Sequence, residues 1–367
     1  MPCGLNRHKR GISTMNAIRH RFAVLAASVF VLSGAVASAS AADVVIVGSG
    51  GVVQDAFRKA LWEPAGKKLG LTVADDTSQS WTDAKAQVDS GSVSWDIINI
   101  NIGECQLAAD AGILVKLPAD IVDRSKFSPG SVNDYCVGNT VFSQIMGVST
   151  KKWDGDYPKN MVDFFDAKKF PGKRGLTRGP RGNIEAAAMA LGKSHDEVYP
   201  FLSTEEGLTA AFAKLEELIK ASDVVWWDSG AQLTQLIVDG QVDLSYGWDG
   251  RIITAMDAGA PVKPVYQDGI IQSDGWAVVK GGPHTDNAIK FVKEISKAEY
   301  VKDLPKYVAY GGANLLAYDG YDEKTLSRLT SSPKNVEGQL PLGVDFWNKH
   351  GAELSERFDA MLLSIKK

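Results

Sequence analysis

Three short segments gather side chains that could hold a ligand: Trp226-Trp227-Asp228, Trp248-Asp249-Gly250-Arg251 and Asp274-Gly275-Trp276. They fall at strand ends, and strand ends are where open α/β sheets form their clefts. Aromatic walls with a few fixed charges suit a small, partly apolar, charged molecule. Trp227 and Trp276 have a competing role as core residues, because one of two neighbouring strand residues must face inward.

Catalytic chemistry is thinly represented. The run Val44-Val45-Ile46-Val47 followed by Gly48-Ser49-Gly50-Gly51, with Asp75 and Asp76 further on, approaches a dinucleotide fingerprint. It departs at the third glycine position, which is Val53. As a turn ahead of a helix the loop is still anion-friendly, so Ser49 and Gly50 join the candidate ligand contacts. Once an N-terminal leader is set aside, His195, His284 and His350 are the remaining histidines, widely spaced and read as surface or capping residues. No H-e-x-x-H or G-x-S-x-G pattern occurs, and Ser149-Thr150-Lys151-Lys152 matches S-x-x-K only in a permissive sense. A secreted oxidoreductase or hydrolase stays as the rival class, and the sequence implies neither cofactor nor metal.

The first 41 residues read as a secretory signal. Arg7, Lys9, Arg10, Arg19 and Arg21 precede an apolar run from Phe22 to Val36, and Ala39-Ser40-Ala41 supplies an A-x-A cleavage site. Met15 would also serve as a start, since Met15 to Ala41 is a complete signal by itself. The apolar run is short of the roughly 20 residues that span a bilayer. With those five basic residues gone, 35 basic residues face 44 acidic ones, a formal charge of about −9. Nucleic acid is a poor partner for so acidic a chain. Cleavage also removes Cys3, leaving Cys105 and Cys136 as an even pair in an oxidising compartment, which predicts a disulfide.

The chain of 367 residues, 44% hydrophobic and 23% charged, can fill two cores. Strands are predicted at Asp43 to Val47, Leu71 to Val73, Trp95 to Ile100, Asp223 to Trp227 and Val242 to Trp248. Helices are predicted from Val52 to Leu69 and from Ala231 to Val238. A third follows Ser203-Thr204-Glu205-Glu206, which has capping-box spacing; Leu208, Ala211, Phe212, Leu215, Leu218 and Ile219 then recur at helical period. This alternation predicts an α/β fold with mainly parallel sheets. No long flexible linker divides the two domains, so the chain is expected to cross between them on strands.

The order of Trp95-Asp96-Ile97-Ile98, Ala111-Gly112-Ile113-Leu114, Tyr246-Gly247-Trp248, Ala258-Gly259-Ala260-Pro261 and Tyr310-Gly311-Gly312-Ala313-Asn314 resembles the spermidine/putrescine-type periplasmic binding proteins. The resemblance covers most of residues 43 to 320. It implies a two-lobed type II binding protein, each lobe a mainly parallel sheet flanked by helices, with two strand crossovers. The lobes would comprise 43–149 plus 251–314, and 150–250 plus 315–367. It further implies a monomeric periplasmic receptor that delivers its ligand to an ABC transporter permease in the inner membrane.

The departures from that family carry the ligand reading. Its putrescine-binding members have Trp-x-Gly-Asp where this chain has Trp248-Asp249-Gly250-Arg251, so an ammonium-binding aspartate is replaced by Arg251. The second such aspartate has a counterpart in Asp274. Asn101, Glu104, Arg181, Asn183 and Tyr310 fall at positions resembling pocket-lining ones. One cationic and one anionic anchor do not suit a diamine, whose ammonium would meet a guanidinium in low dielectric. A carboxylate at one end and an ammonium at the other suit both, as in the γ-aminobutyrate binders of the group. An ω-amino acid is the expected ligand, with a polyamine in the same fold as the alternative if Arg251 points away. A structural salt bridge is the competing role for Arg251 and Asp274. Three methylenes buried against Trp248 yield roughly 2.4 kcal/mol, whereas micromolar binding needs about 8, so the charged ends must supply most of the affinity.

Overall fold

The computed structural model describes residues 42–78 and 80–365, and the expected leader at 1–41 lies outside them. Ten strands form one sheet: β1 (Val44–Gly48), β2 (Val73–Thr77), β3 (Ile97–Asn101), β4 (Cys136–Ser149), β5 (Arg174–Thr177), β6 (Val224–Trp227), β7 (Leu244–Trp248), β8 (Val262–Val278), β9 (Gly311–Gly312) and β10 (Gln339–Pro341). Their order is β2-β1-β3-β8-β4-β7-β5-β6, with β10 beside β8 and β9 beside β4. Both flanks are parallel, as strand-helix alternation requires. The centre is antiparallel: β4 and β8 pair with each other, β8 also with β3, and β4 also with β7.

The two central strands are 14 and 17 residues long, yet neither was read from the sequence. Polar and glycine-containing stretches interrupt them, Gly138-Asn139-Thr140 and Ser143-Gln144 in one, Gln267-Asp268-Gly269 and Gln272-Ser273-Asp274-Gly275 in the other. Such stretches look like loops when only local composition is considered. The strand expected at Leu71 to Val73 begins instead at Val73, because Gly70 adopts φ 69 and the Leu71 N–H returns to the Gly66 carbonyl, closing the preceding helix. That helix is itself divided into Gly51–Phe57, a π turn Arg58–Trp62, and Glu63–Leu69. Pro64 explains the π turn, since a proline lacks the N–H and collides with the carbonyl four residues back. The capping residue of Glu205–Ala221 is Thr204 rather than Ser203: the Thr204 hydroxyl accepts from the Gly207 N–H at 3.0 Å.

Apolar side chains separate into groups on either side of the central strands. Val44, Ile46, Ile97, Phe57, Trp62 and Trp276 share one core, which also takes in Tyr310 and Ala317. Met146, Leu176, Tyr246 and Ile270 share another with Leu215 of Glu205–Ala221 and with Phe346, Trp347 and Phe358 of the final helix Val344–Ile365. Trp227 packs with Leu233, Ile252, Ala255 and Val262. Trp227 and Trp276 are therefore core residues. Among the described residues no helix is long and apolar enough to cross a membrane.

Cys105 and Cys136 are bonded, with Cα atoms 6.4 Å apart and both side chains fully buried. The bond ties the helix that begins just after β3 to the first residue of β4. Closing a loop of sequence separation 31 restricts the unfolded chain, so Cys105→Ala with Cys136→Ala is expected to cost about 3 to 4 kcal/mol. Denaturant unfolding of the double variant against the oxidised protein measures the loss.

Candidate functional site

Directly opposed residues of antiparallel strands share one face of a sheet. The registers set Thr140 opposite Asp274, Phe142 opposite Gln272, and Gln144 opposite both Ile270 and Trp248. On the other side of β8, Asn101 lies opposite Asp274 and Asn99 opposite Trp276. The row along β8 thus begins in one core with Trp276 and ends in another with Ile270. Between the two cores lies a strip of polar and aromatic side chains: Asp274, Gln272, Gln144, Phe142 and Trp248.

Asp274 is held by amides. Asn99 Nδ2 donates to its Oδ2 at 3.2 Å, Asn101 Nδ2 to its Oδ1 at 3.3 Å, and Asn139 Nδ2 in turn donates to Asn99 at 2.7 Å. Loss of hydration pushes the Asp274 carboxyl up to about 6 against the pull of those amides, and the nearby charge of Glu104 pushes the same way. Asn101 also caps the turn Ile102–Glu104, accepting from the Gly103 N–H at 3.0 Å, so one side chain shapes the turn and orients the acid.

Arg251 is the third residue of the helix Asp249–Asp257 and is half-buried. Gly230 abuts it so closely that a Cβ there would lie 2.6 Å from the Arg251 Nε. The expected alternative of a salt bridge between Arg251 and Asp274 is not realised; among the described residues neither group has an ion-pair partner. Tyr310 stands within electrostatic reach of both. Burial raises its phenol, the charges of Asp249 and Asp274 add to that, and Arg251 opposes it. Its ring rests on Gly250, where a Cβ would fall 2.4 Å from Cε1, and lies 6.0 Å from Phe142. Trp248 meets Phe142 edge-on at 5.6 Å and Trp227 at 6.4 Å. One strip thus carries an acid, a guanidinium and an aromatic wall.

Glu104 is half-buried, and loss of hydration raises its carboxyl while Arg181 opposes the shift. The Arg181 guanidinium sits 5.2 Å over the Trp347 ring, whose Nε1 donates to the fully buried Glu185 at 2.6 Å. Asn183 is placed differently from the expectation of a pocket-lining residue. It is buried, and its Nδ2 donates to the carbonyls of Thr177 and Gly179, bracing the loop that carries Arg181. Trp226 packs its ring edge-on against Phe358 at 5.7 Å, because alternation on β6 sends neighbouring tryptophans into different cores. Asp228 is exposed, with its N–H bonded to Gln232. Gly50 gives its N–H to Gln54 at 2.8 Å, leaving the glycine loop one donor fewer for an anion. His195 reaches Asp268 at 3.1 Å, and His284 precedes the helix Thr285–Ile295 and reaches Asp96 at 3.0 Å.

Two concavities of about 390 and 540 Å³ lie away from the strip. The first includes Lys152 and Asp243, which pair with each other, and the second lies beside Tyr199 and Phe346. Their charges without an ion-pair partner, Lys151 and Asp239 in the first and Asp345 and Lys349 in the second, are exposed, whereas Arg251 and Asp274 are half-buried. Phe142, Gln144 and Gln272 were missed in the sequence because β4 and β8 were missed, and recognising those strands and applying period two would have placed them; Asn99 lay in a predicted strand, but its neighbour β8 was not read.

Asp249 was read only as part of a motif, yet it is fully buried. Oδ1 accepts from the Ser143 N–H at 3.2 Å and Oδ2 has no partner, and burial pushes the carboxyl up to about 8. The unfolded chain releases this proton near pH 4, whereas the native state keeps it to about 8. Its contribution therefore lowers stability as pH rises through that window. Relative to wild type, Asp249→Asn should gain about 2 kcal/mol between pH 6 and pH 8, read by denaturant unfolding at both values.

A family model described as bacterial extracellular solute-binding protein matches residues 60–329. The chain is 32% identical over 328 residues to the gamma-aminobutyric acid-binding protein of Pseudomonas aeruginosa, covering 89% of this chain and 92% of that one. It is 24% identical over 221 residues to the spermidine/putrescine-binding periplasmic protein of Escherichia coli, 58% of this chain and 60% of that one. Among solved structures, the PBP MotA of A. tumefaciens B6 in complex with glucopine superposes with a TM-score of 0.79 at 50% identity, over 87% of this chain and 99% of that one. By this family match and the sheet that positions its charged strip, the chain belongs to the bacterial extracellular solute-binding proteins.

Proposed function

We propose that this protein is the receptor of an ABC importer for a small zwitterion with a carboxylate and an amine at opposite ends, and that it binds without transforming its ligand. The observation that carries the reading is the uncompensated pair: Arg251 and Asp274 both lie within electrostatic reach of Tyr310, and among the described residues neither has an ion-pair partner. Leaving a half-buried charge unpaired is costly, so a site that keeps two of opposite sign is built to be completed from outside. Arg251 would take the carboxylate bidentately and Asp274 the ammonium, with Trp248 and Phe142 covering the chain between them. An ammonium at each end would leave one of them against Arg251, which disfavours a diamine. The similarity to a gamma-aminobutyric acid-binding protein supports the same choice.

The receptor would act in the periplasm after cleavage of the 1–41 leader, as a monomer, and deliver its ligand to a permease. Two lobes, 43–149 plus 251–314 and 150–250 plus 315–367, would close on the ligand about the central strands. The packing of Ile252, Ala255 and Val262 with Trp227 favours a second crossing along β8 rather than at Arg251. Ala317 stays with the core of Tyr310. Small-angle scattering should show a smaller radius of gyration with saturating ligand; identical profiles would count against closure.

Calorimetry with γ-aminobutyrate, glucopine and putrescine tests the ligand class. Arg251→Ala and Asp274→Asn should each weaken zwitterion binding by roughly 2 to 5 kcal/mol, and Arg251→Asp should move preference toward putrescine. Tight putrescine binding by the wild type with no response to either zwitterion would sink the reading. Affinity should also fall as pH drops through about 6, where the Asp274 carboxyl takes a proton and loses its hold on an ammonium.

A further inference from the structure

The strip between the two charged anchors is not lined as a bare hydrocarbon chain would require. Gln144 is 3% exposed and its Nε2 has no hydrogen-bond partner. Its amide lies against Gly182, where φ is 87 and a Cβ would fall 2.2 Å from the Gln144 Oε1. Any larger residue at 182 would displace that amide. Gln272 accepts from Asn101 Nδ2 at 3.1 Å through its Oε1, and its own Nε2 makes no hydrogen bond among the described residues. Register places both glutamines in the span from Trp248, beside Arg251, to Asp274.

Two amides therefore have uncommitted donors where the middle of a bound ligand would lie. The terminal torsion of glutamine is broad and roughly two-fold, so a turn about it presents the Gln144 donors to the strip. Polymethylene would leave those donors unsatisfied in a site closed to water, whereas oxygen acceptors would satisfy them. A site built to hydrogen-bond a polar group discriminates strongly against the analogue that lacks it.

We propose that the ligand carries hydroxyl or amide oxygens along the chain between its carboxylate and its amine. It is a polar-chained amino acid, larger in hydrogen-bonding demand than a simple ω-amino acid, and Gln144 with Gln272 reads those groups. This rests on the zwitterion reading and narrows it.

Two matched pairs test it by calorimetry on the full mature protein: γ-aminobutyrate against 4-amino-3-hydroxybutyrate, and 5-aminovalerate against glycylglycine. In each pair the ends are the same and the middle differs. The polar member should bind at least tenfold more tightly in at least one pair. Gln144→Met should bring that ratio within threefold. Gln272→Met, made separately, supplies the same readout if the first variant fails to fold, which its melting curve reports. Equal affinity within both pairs, or a preference untouched by both glutamine variants, overturns the inference and leaves the zwitterion reading standing. Binding of none of the four overturns that reading, and the inference falls with it.

Discussion

Along β4 and β8 the chain makes its longest ladder, and the side chains that face one way from it change character twice. Trp276 is buried at one end, Ile270 and Met146 at the other, and Asp274, Gln272 and Gln144 lie between. A strand that serves two cores must pass through the gap separating them. In that gap its backbone bonds are satisfied by the neighbouring strand, while its side chains are free to be polar. The parallel flanks β1 to β3 and β5 to β7 supply the cores, and the antiparallel centre supplies the polar strip between them.

The electrostatics follow from that placement. Asp274 in a hydration-poor strip would become neutral near physiological pH without help, and the amides of Asn99 and Asn101 hold it close to ionisation. Among the described residues no cation does so. Arg251 stands on the helix after β7, where Gly230 makes room for it and Gly250 for Tyr310. Had the two charges met, each would have been more stable and neither would have been of use to a ligand. Asp249, one layer deeper, has no such role and is held neutral by burial to about pH 8.

The central ladder also contains an irregularity. Register jumps between Gln144 and Met146, where β8 has Tyr266 to Gly269 out of step with β4. Asp268 in that bulge adopts φ 60, unusual for a residue other than glycine, and is secured by the Met161 N–H at 2.8 Å, by His195 and by Gln267. Gln339 of β10 braces the neighbouring segment through Ser143 and Thr330. A bulge fixed on both sides sets where the long strand bends without leaving the position of its side chains to chance.

Much of this was present in one dimension. Hydrophobic period and turn chemistry were enough for β1, β3, β6 and β7 and for the helices Glu205–Ala221 and Gly230–Val238, because each of those elements meets its neighbours through a regular apolar face. Cys105 and Cys136 could be paired by counting, and Arg251 and Asp274 stood out because of the residue types around them. What could not be read was β4 and β8, whose middle sections are polar by necessity, so local composition assigned them to loops. With those strands missing, Phe142, Gln144 and Gln272 had no position, and Asn99 had no partner strand; Trp226 packs against Phe358, and Asn183 braces the loop before it. Sequence determined which charges this protein carries and the elements that bear them; tertiary structure decided which charges remain unpaired, because that depends on pairing between strands more than 110 residues apart.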